Sequence, residues 1–196
     1  MTDPETIQVY SNHAGDYARK FERKKPDKSL KDFLALLPNG GTVHDLGCGP
    51  GQSSAIMRDA GFNVTASDAC PEMVALAKDT FDLDASVATF EDFDAIDTYD
   101  GVWANFSLLH APREKFPDHI AAIKTALRAD GILHLGLKTG SDEKRDTLGR
   151  LYIFYTVAEL TKTLENAGFK LLSVTKGAEA GLAGTVDPFV IILARG

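Results

Sequence analysis

Apolar positions follow two periods along the chain. Short apolar runs at 42–46, 63–67, 85–88, 101–104, 132–137, 171–174 and 189–193 are bounded by turn-forming residues and have the length of buried strands. Between them, 53–60, 71–79, 116–127 and 156–167 carry apolar residues at helical spacing, and 10–25 and 29–37 read as two further helices ahead of the first strand. Pro71 suits a first helical turn, Thr156 with Glu159 forms a capping box, and Gly61, Gly131 and Gly168 stand where a left-handed residue ends a helix. Strands that alternate with helices pair in parallel through right-handed crossovers, so the pattern predicts an α/β three-layer sandwich on a seven-stranded, mostly parallel sheet. The segment 176–188 holds Gly177, Gly181 and Gly184 and has no helical period. A hairpin there turns the last strand antiparallel to the others.

Length and charge narrow the reading. A chain of 196 residues without repeats or linkers fits one domain, with a helical segment at 1–38 over an α/β core at 39–196. A net charge of -7 argues against a phosphate backbone as partner. Arg19, Lys20, Arg23, Lys24, Lys25 and Lys28 do cluster, but Asp16, Glu22 and Asp27 interleave with them as on a solvated helix face. No apolar run reaches the roughly 20 residues of a membrane helix, and the first residues lack a leader pattern, so the expected address is the cytoplasm. Cys48 and Cys70 make neither a disulfide framework nor a metal cluster, and no metal site is expected.

Candidate chemistry concentrates in Val43-His44-Asp45-Leu46-Gly47-Cys48-Gly49-Pro50-Gly51, where a strand ends and a helix opens. Gly47 and Gly49 admit backbone close to a ligand, and the helix terminus offers free amides. The dinucleotide fingerprint G-x-G-x-x-G would need glycine at Gln52, whereas the spacing here is G-x-G-x-G. Asp45 would also repel a pyrophosphate and attract a cation, which points to an amine-bearing ligand. Asp68 closes the next strand, where a carboxylate can accept both hydroxyls of a ribose.

Together these residues resemble the class I S-adenosylmethionine-dependent methyltransferases of small-molecule type, from about residue 40 to the C-terminus. The resemblance implies a Rossmann-like fold, S-adenosylmethionine as cofactor and S-adenosylhomocysteine as product. It places Asp45, Gly47, Cys48, Gly49 and Gly51 around the methionine part and Asp68 on the ribose. It sets Ala69 and Met73 against the adenine, with Thr89, Phe90 and Glu91 at the adenine edge. Residues 99–105 match the fourth-strand motif, whose end at Ala104 and Asn105 passes beneath the cofactor. Tyr17, on one helix face with Tyr10, matches the aromatic contact of an N-terminal lid. Asn105-Phe106-Ser107-Leu108 departs from the N/D-P-P-Y/F motif of base-methylating relatives, which disfavours nucleic acid as acceptor.

For the acceptor, His110 follows the fourth strand and either removes a proton or only caps a helix or contacts the cofactor carboxylate. Arg150 is a candidate for recognising an acidic substrate, and Tyr155 belongs to the aromatic run 152–155 that could wall the acceptor pocket. The polar stretch 140–146 reads as a solvated loop. Trp103 and His134 lie in strands and read as core, while His13, His44 and His119 read as structural or exposed. Direct in-line displacement by a small-molecule acceptor is the expected reaction, in which alignment and desolvation can suffice without a strong base. Two alternatives stand beside it: a noncatalytic cofactor-binding module and a nicotinamide-dependent oxidoreductase. The assembly expected is a monomer or a homodimer.

Overall fold

A computed structural model describes residues 3–196; Met1 and Thr2, at the head of the expected helical segment, lie outside the described residues. Seven strands form one sheet in the order β3-β2-β1-β4-β5-β9-β8. These are β1 (Thr42–Leu46), β2 (Asn63–Asp68), β3 (Ala85–Val87), β4 (Tyr99–Asn105), β5 (Leu127–Lys138), β8 (Lys170–Ala180) and β9 (Val186–Arg195). Strands β1 to β5 pair in parallel, and β9 runs antiparallel to both β5 and β8. Segment 176–188 is accordingly mostly strand, the two arms of the β8–β9 hairpin around a short turn.

Strand alternation sorts the core. On β4, Val102 and Ala104 face a cluster closed by α5 (Phe116–Ala126) and α6 (Val157–Asn166), whereas Trp103 faces a cluster with Leu30, Phe33 and Leu37 from the α2 region (Lys28–Leu34) and Met57 from α3 (Gln52–Asp59). Helix α4 (Pro71–Phe81) packs Val74 and Ala77 on Ala66 of β2, so helices cover both faces of the sheet. Gly101 admits the α2 helix, because a Cβ there would stand 2.7 Å from Cζ of Phe33.

Three local outcomes differ from the sequence pattern. Helix α1 spans Pro4–Lys20 rather than 10–25, since Asp3 caps it by accepting the Thr6 amide and Pro4 begins its first turn. The expected cap Gly131 lies inside β5; α5 already stops at Ala126, and Asp130 takes the positive φ, at 63°. Part of 140–146 is not loop but strand β6 (Glu143–Arg145), paired with β7 (Leu151–Ile153) as a two-stranded ribbon. Its charged, exposed β6 residues hide the strand from any hydrophobic pattern.

Candidate functional site

The chain leaves β1 toward β2 on one side and reaches β4 and β5 on the other, so a crevice opens beyond the carboxyl ends of β1 and β4. A cavity of about 340 Å³ occupies it, walled by the ends of β1 to β5, by α1 and by β7 and β9.

Three glycines of the first loop adopt positive φ, 78° at Gly47, 54° at Gly49 and 86° at Gly51, for different reasons. A Cβ on Gly47 would stand 2.3 Å from Cβ of Ser107, while Gly49 meets only Tyr17, at 3.8 Å. Gly51 is the left-handed N-cap of α3, and a Cβ there would stand 2.6 Å from Cδ1 of Leu83 and 2.9 Å from Cβ of Ala77. It therefore shapes the loop from behind, outside the cavity lining. The amides of Gly47 and Cys48 both donate to the carbonyl of Ser67, at 2.8 and 2.9 Å, which moors the loop to the end of β2.

Two carboxylates face this loop. Asp68 accepts the amide of Gly49 at 2.8 Å and that of Cys70 at 2.9 Å, one on each oxygen. Asp45, buried at 2% exposure, accepts the hydroxyl of Ser54 at 2.6 Å. Burial raises its pKa to about 7, against the Ser54 bond and with help from the nearby charge of Asp68. Burial likewise raises Asp68, opposed by its two amide donors. Ser107 Oγ, on the cavity wall and 7% exposed, has no hydrogen-bond partner among the described residues. Two desolvated carboxylates, a loop with no room for a side chain at Gly47 and one bare hydroxyl suit a cationic ligand with hydroxyl groups.

A further part of the cavity is aromatic. Tyr10 from α1, Phe106, Tyr152 from β7 and Phe189 from β9 line it, together with His110, Arg150 and Lys138. Lys138 pairs with Asp187 at 2.7 Å and lies 3.9 Å over the Tyr152 ring. Arg150, 2% exposed, gives Nε and Nη2 to Asp146 at 3.0 and 2.6 Å and Nη1 to the Tyr10 hydroxyl at 3.1 Å. His110 bonds the Leu151 carbonyl through Nδ1 at 2.6 Å and Tyr10 through Nε2 at 2.9 Å. Burial lowers its pKa to about 4, against the Leu151 bond, so the ring is neutral at pH 7.

The cavity thus gathers Tyr17, Asp45, Gly47, Cys48, Gly49, Asp68, Ala69, Met73, Phe90, Asn105, His110 and Arg150. It does not gather Gly51, Thr89, Glu91, Ala104 or Tyr155. Ala104 and Asn105 are neighbours on a strand and must face opposite sides, so Ala104 enters the core and only Asn105 reaches the cavity. Thr89 turns its hydroxyl to Asp92 at 2.8 Å. Tyr155 stacks on Phe116 at 4.6 Å with Arg113 over its ring, and its buried hydroxyl has no partner among the described residues. Arg150 is committed to Asp146 and Tyr10 rather than held open toward an anion.

Tyr10, Ser107, Lys138 and Phe189 are lining residues that the motifs do not single out. Tyr10 was within reach through its shared helix face with Tyr17, whose ring it meets edge-on at 5.7 Å. Trp103 and His134 are core, as expected, stacked at 3.5 Å on paired strands; His134 also bonds Asn105 Oδ1 at 2.9 Å. Among the described residues no group of three or more His, Cys, Asp or Glu could hold a metal ion, and no helix is long and apolar enough to cross a membrane.

Residues 43–131 match the family model of a methyltransferase domain. An uncharacterized methyltransferase of Staphylococcus carnosus is 28% identical over 148 residues, 75% of this chain and 72% of that protein. Among solved structures, 1,6-didemethyltoxoflavin-N1-methyltransferase of Burkholderia thailandensis, with bound 1,6-didemethyltoxoflavin and S-adenosylhomocysteine, superposes with a TM-score of 0.74. It is 23% identical and covers 97% of this chain and 86% of that one. The cyclase SpnF superposes with a TM-score of 0.72 at 17% identity, over 97% of this chain and 93% of that one.

Proposed function

We infer that this chain is a class I S-adenosylmethionine-dependent methyltransferase that transfers the cofactor's methyl group to a small molecule held at the aromatic part of the cavity. The observation that carries the reading is the convergence of Asp45, Asp68 and a loop of left-handed glycines at the point where the sheet reverses its order. When bound, S-adenosylmethionine supplies a methyl group on a sulfonium that is already a good leaving group. Asp68 would take the ribose hydroxyls, and Asp45 would offer its charge to the cationic amino-acid part. The Gly47 backbone would lie against the ligand, and Ser107 Oγ would find a partner. Phe90, Ala69 and Met73 offer an apolar slot for the adenine.

The chain's own part in the reaction is alignment and exclusion of water. Helix α1 closes over the cavity as the proposed lid, with Thr6 accepting the Leu151 amide at 2.8 Å and Tyr10 and Tyr17 facing inward. A chamber roofed in this way suits a free small molecule. A solvated cytoplasmic address belongs to the same proposal. The superposition with a cyclase favours one second reading, a cofactor-binding fold put to another use.

Incubation with S-adenosylmethionine labelled in its methyl group and the small-molecule fraction of a cell extract separates the two. The transferase reading expects a labelled small molecule and an equal amount of S-adenosylhomocysteine. Tight binding of S-adenosylhomocysteine with no transfer of label supports the second.

A further inference from the structure

We propose that Tyr10, carried in by α1, receives the proton of the methyl acceptor while passing its own to His110, and that the acceptor is therefore a protic O–H or N–H nucleophile. The inference rests on the transferase reading and deepens it.

Hydrogen-bond direction makes the argument. The Leu151 carbonyl can only accept, so Nδ1 of His110 carries its proton. A neutral ring then has a bare Nε2, and the contact at 2.9 Å is the Tyr10 hydroxyl donating to it. Arg150 Nη1 donates to the same Tyr10 oxygen at 3.1 Å and the Tyr152 hydroxyl also donates to it, so the acceptor's proton arrives in the place of the Tyr152 hydroxyl. Tyr10, His110, Arg150 and Tyr152 all line the cavity.

In the transfer, the acceptor's lone pair forms the new bond to the methyl carbon, and the electrons of the broken carbon–sulfur bond stay on sulfur. The acceptor's proton passes to the Tyr10 oxygen as the Tyr10 proton passes to His110 Nε2. Arg150 and Lys138 face the imidazole and oppose its charging, Asp146 favours it, and the rings of Tyr10 and Tyr152 enclose it. Loss of the sulfonium charge offsets that opposition, because an imidazolium formed at that moment keeps the cavity's total charge constant. Tyr10 is the catalytic residue of this relay, and His110 acts through it.

Tyr10→Phe keeps the ring that packs on Tyr17 and removes only the oxygen. With methyl-labelled S-adenosylmethionine and the small-molecule fraction of a cell extract, turnover at pH 7 is expected to fall about a hundred- to ten-thousandfold. S-adenosylhomocysteine affinity should stay within about twofold. The deficit should narrow as pH rises and the nucleophile arrives deprotonated, and adding His110→Gln should cost little more. Independently of any acceptor, nitrogen-15 spectra of the S-adenosylhomocysteine complex should show His110 protonated at Nδ1 and bare at Nε2, with the Nε2 signal shifted in Tyr10→Phe. Unchanged turnover, a deficit equal at every pH, a cofactor affinity lost together with turnover, or an Nε2-protonated His110 would each overturn the relay alone. No labelled product from the unaltered enzyme would overturn the transferase reading and the relay with it.

Discussion

The carboxylate of Asp68 accepts the amide of Gly49 at 2.8 Å, which joins the end of β2 to the loop that follows β1. Its other oxygen holds the Cys70 amide at the start of α4. Asp68→Ala should therefore lower S-adenosylhomocysteine affinity by about 1–3 kcal/mol and also lower the melting temperature of the ligand-free protein, since two amides lose their acceptor. Calorimetry and thermal unfolding read both effects. Full affinity in the folded variant would remove Asp68 from the cofactor site.

Gly47 and Gly49 should respond unequally to a single methyl group. At Gly47 an alanine Cβ would overlap Ser107, so Gly47→Ala should both destabilise the protein and abolish cofactor binding. Gly49→Ala meets only the Tyr17 ring, at ordinary contact distance, and bears the strain of its positive φ, about 1 kcal/mol. Binding isotherms for the two folded variants should rank in that order.

The contrast between these glycines shows where sequence reading stops. Spacing alone placed all three in one motif, yet only the fold reveals that Gly47 yields to Ser107 and Gly51 to Ala77 and Leu83. The seven sheet strands were legible as short apolar runs between turns, even where, as in β8, the strand lies largely exposed, and Thr156 with Glu159 does form its capping box. Ribbon β6–β7 was not legible, because Glu143, Lys144 and Arg145 are all exposed and carry no apolar period. Its contacts with α1, including Arg145 to Asp3 at 2.8 Å, are long-range and leave no local signature. The acceptor end suffers most from this, since Tyr10, His110 and Arg150 meet only after the chain has folded.

Asp45 predicts a pH dependence with a definite sign. Its folded pKa is raised from 3.8 to about 7, so its contribution to stability is full below about pH 4 and is lost as pH rises through 7. The whole effect is at most about 4 kcal/mol. Asp45→Asn should flatten that decline in the ligand-free protein while weakening cofactor binding. A cation bound beside Asp45 should drive its proton off, so calorimetry of S-adenosylmethionine at pH 6, in buffers of different ionisation heat, should detect proton release that vanishes at pH 9.

Arg150 and Tyr155 should part company. Arg150→Met leaves Asp146 without its partner in a buried pair and should cost about 3–5 kcal/mol in denaturant unfolding. Tyr155→Phe removes a buried hydroxyl that bonds nothing among the described residues, so stability should hold or rise by up to about 1 kcal/mol. Because Tyr155 lies outside the cavity lining, methyl transfer should stay within about twofold; a dead Tyr155→Phe enzyme would move the acceptor chamber.

The most direct measurement is a crystal structure of the S-adenosylhomocysteine complex. The account predicts ribose hydroxyls within hydrogen-bond distance of Asp68, the ammonium nearest Asp45, and the sulfur directed toward the chamber of Tyr10, His110 and Phe189. A ribose bound away from Asp68, or a sulfur turned away from that chamber, would contradict it.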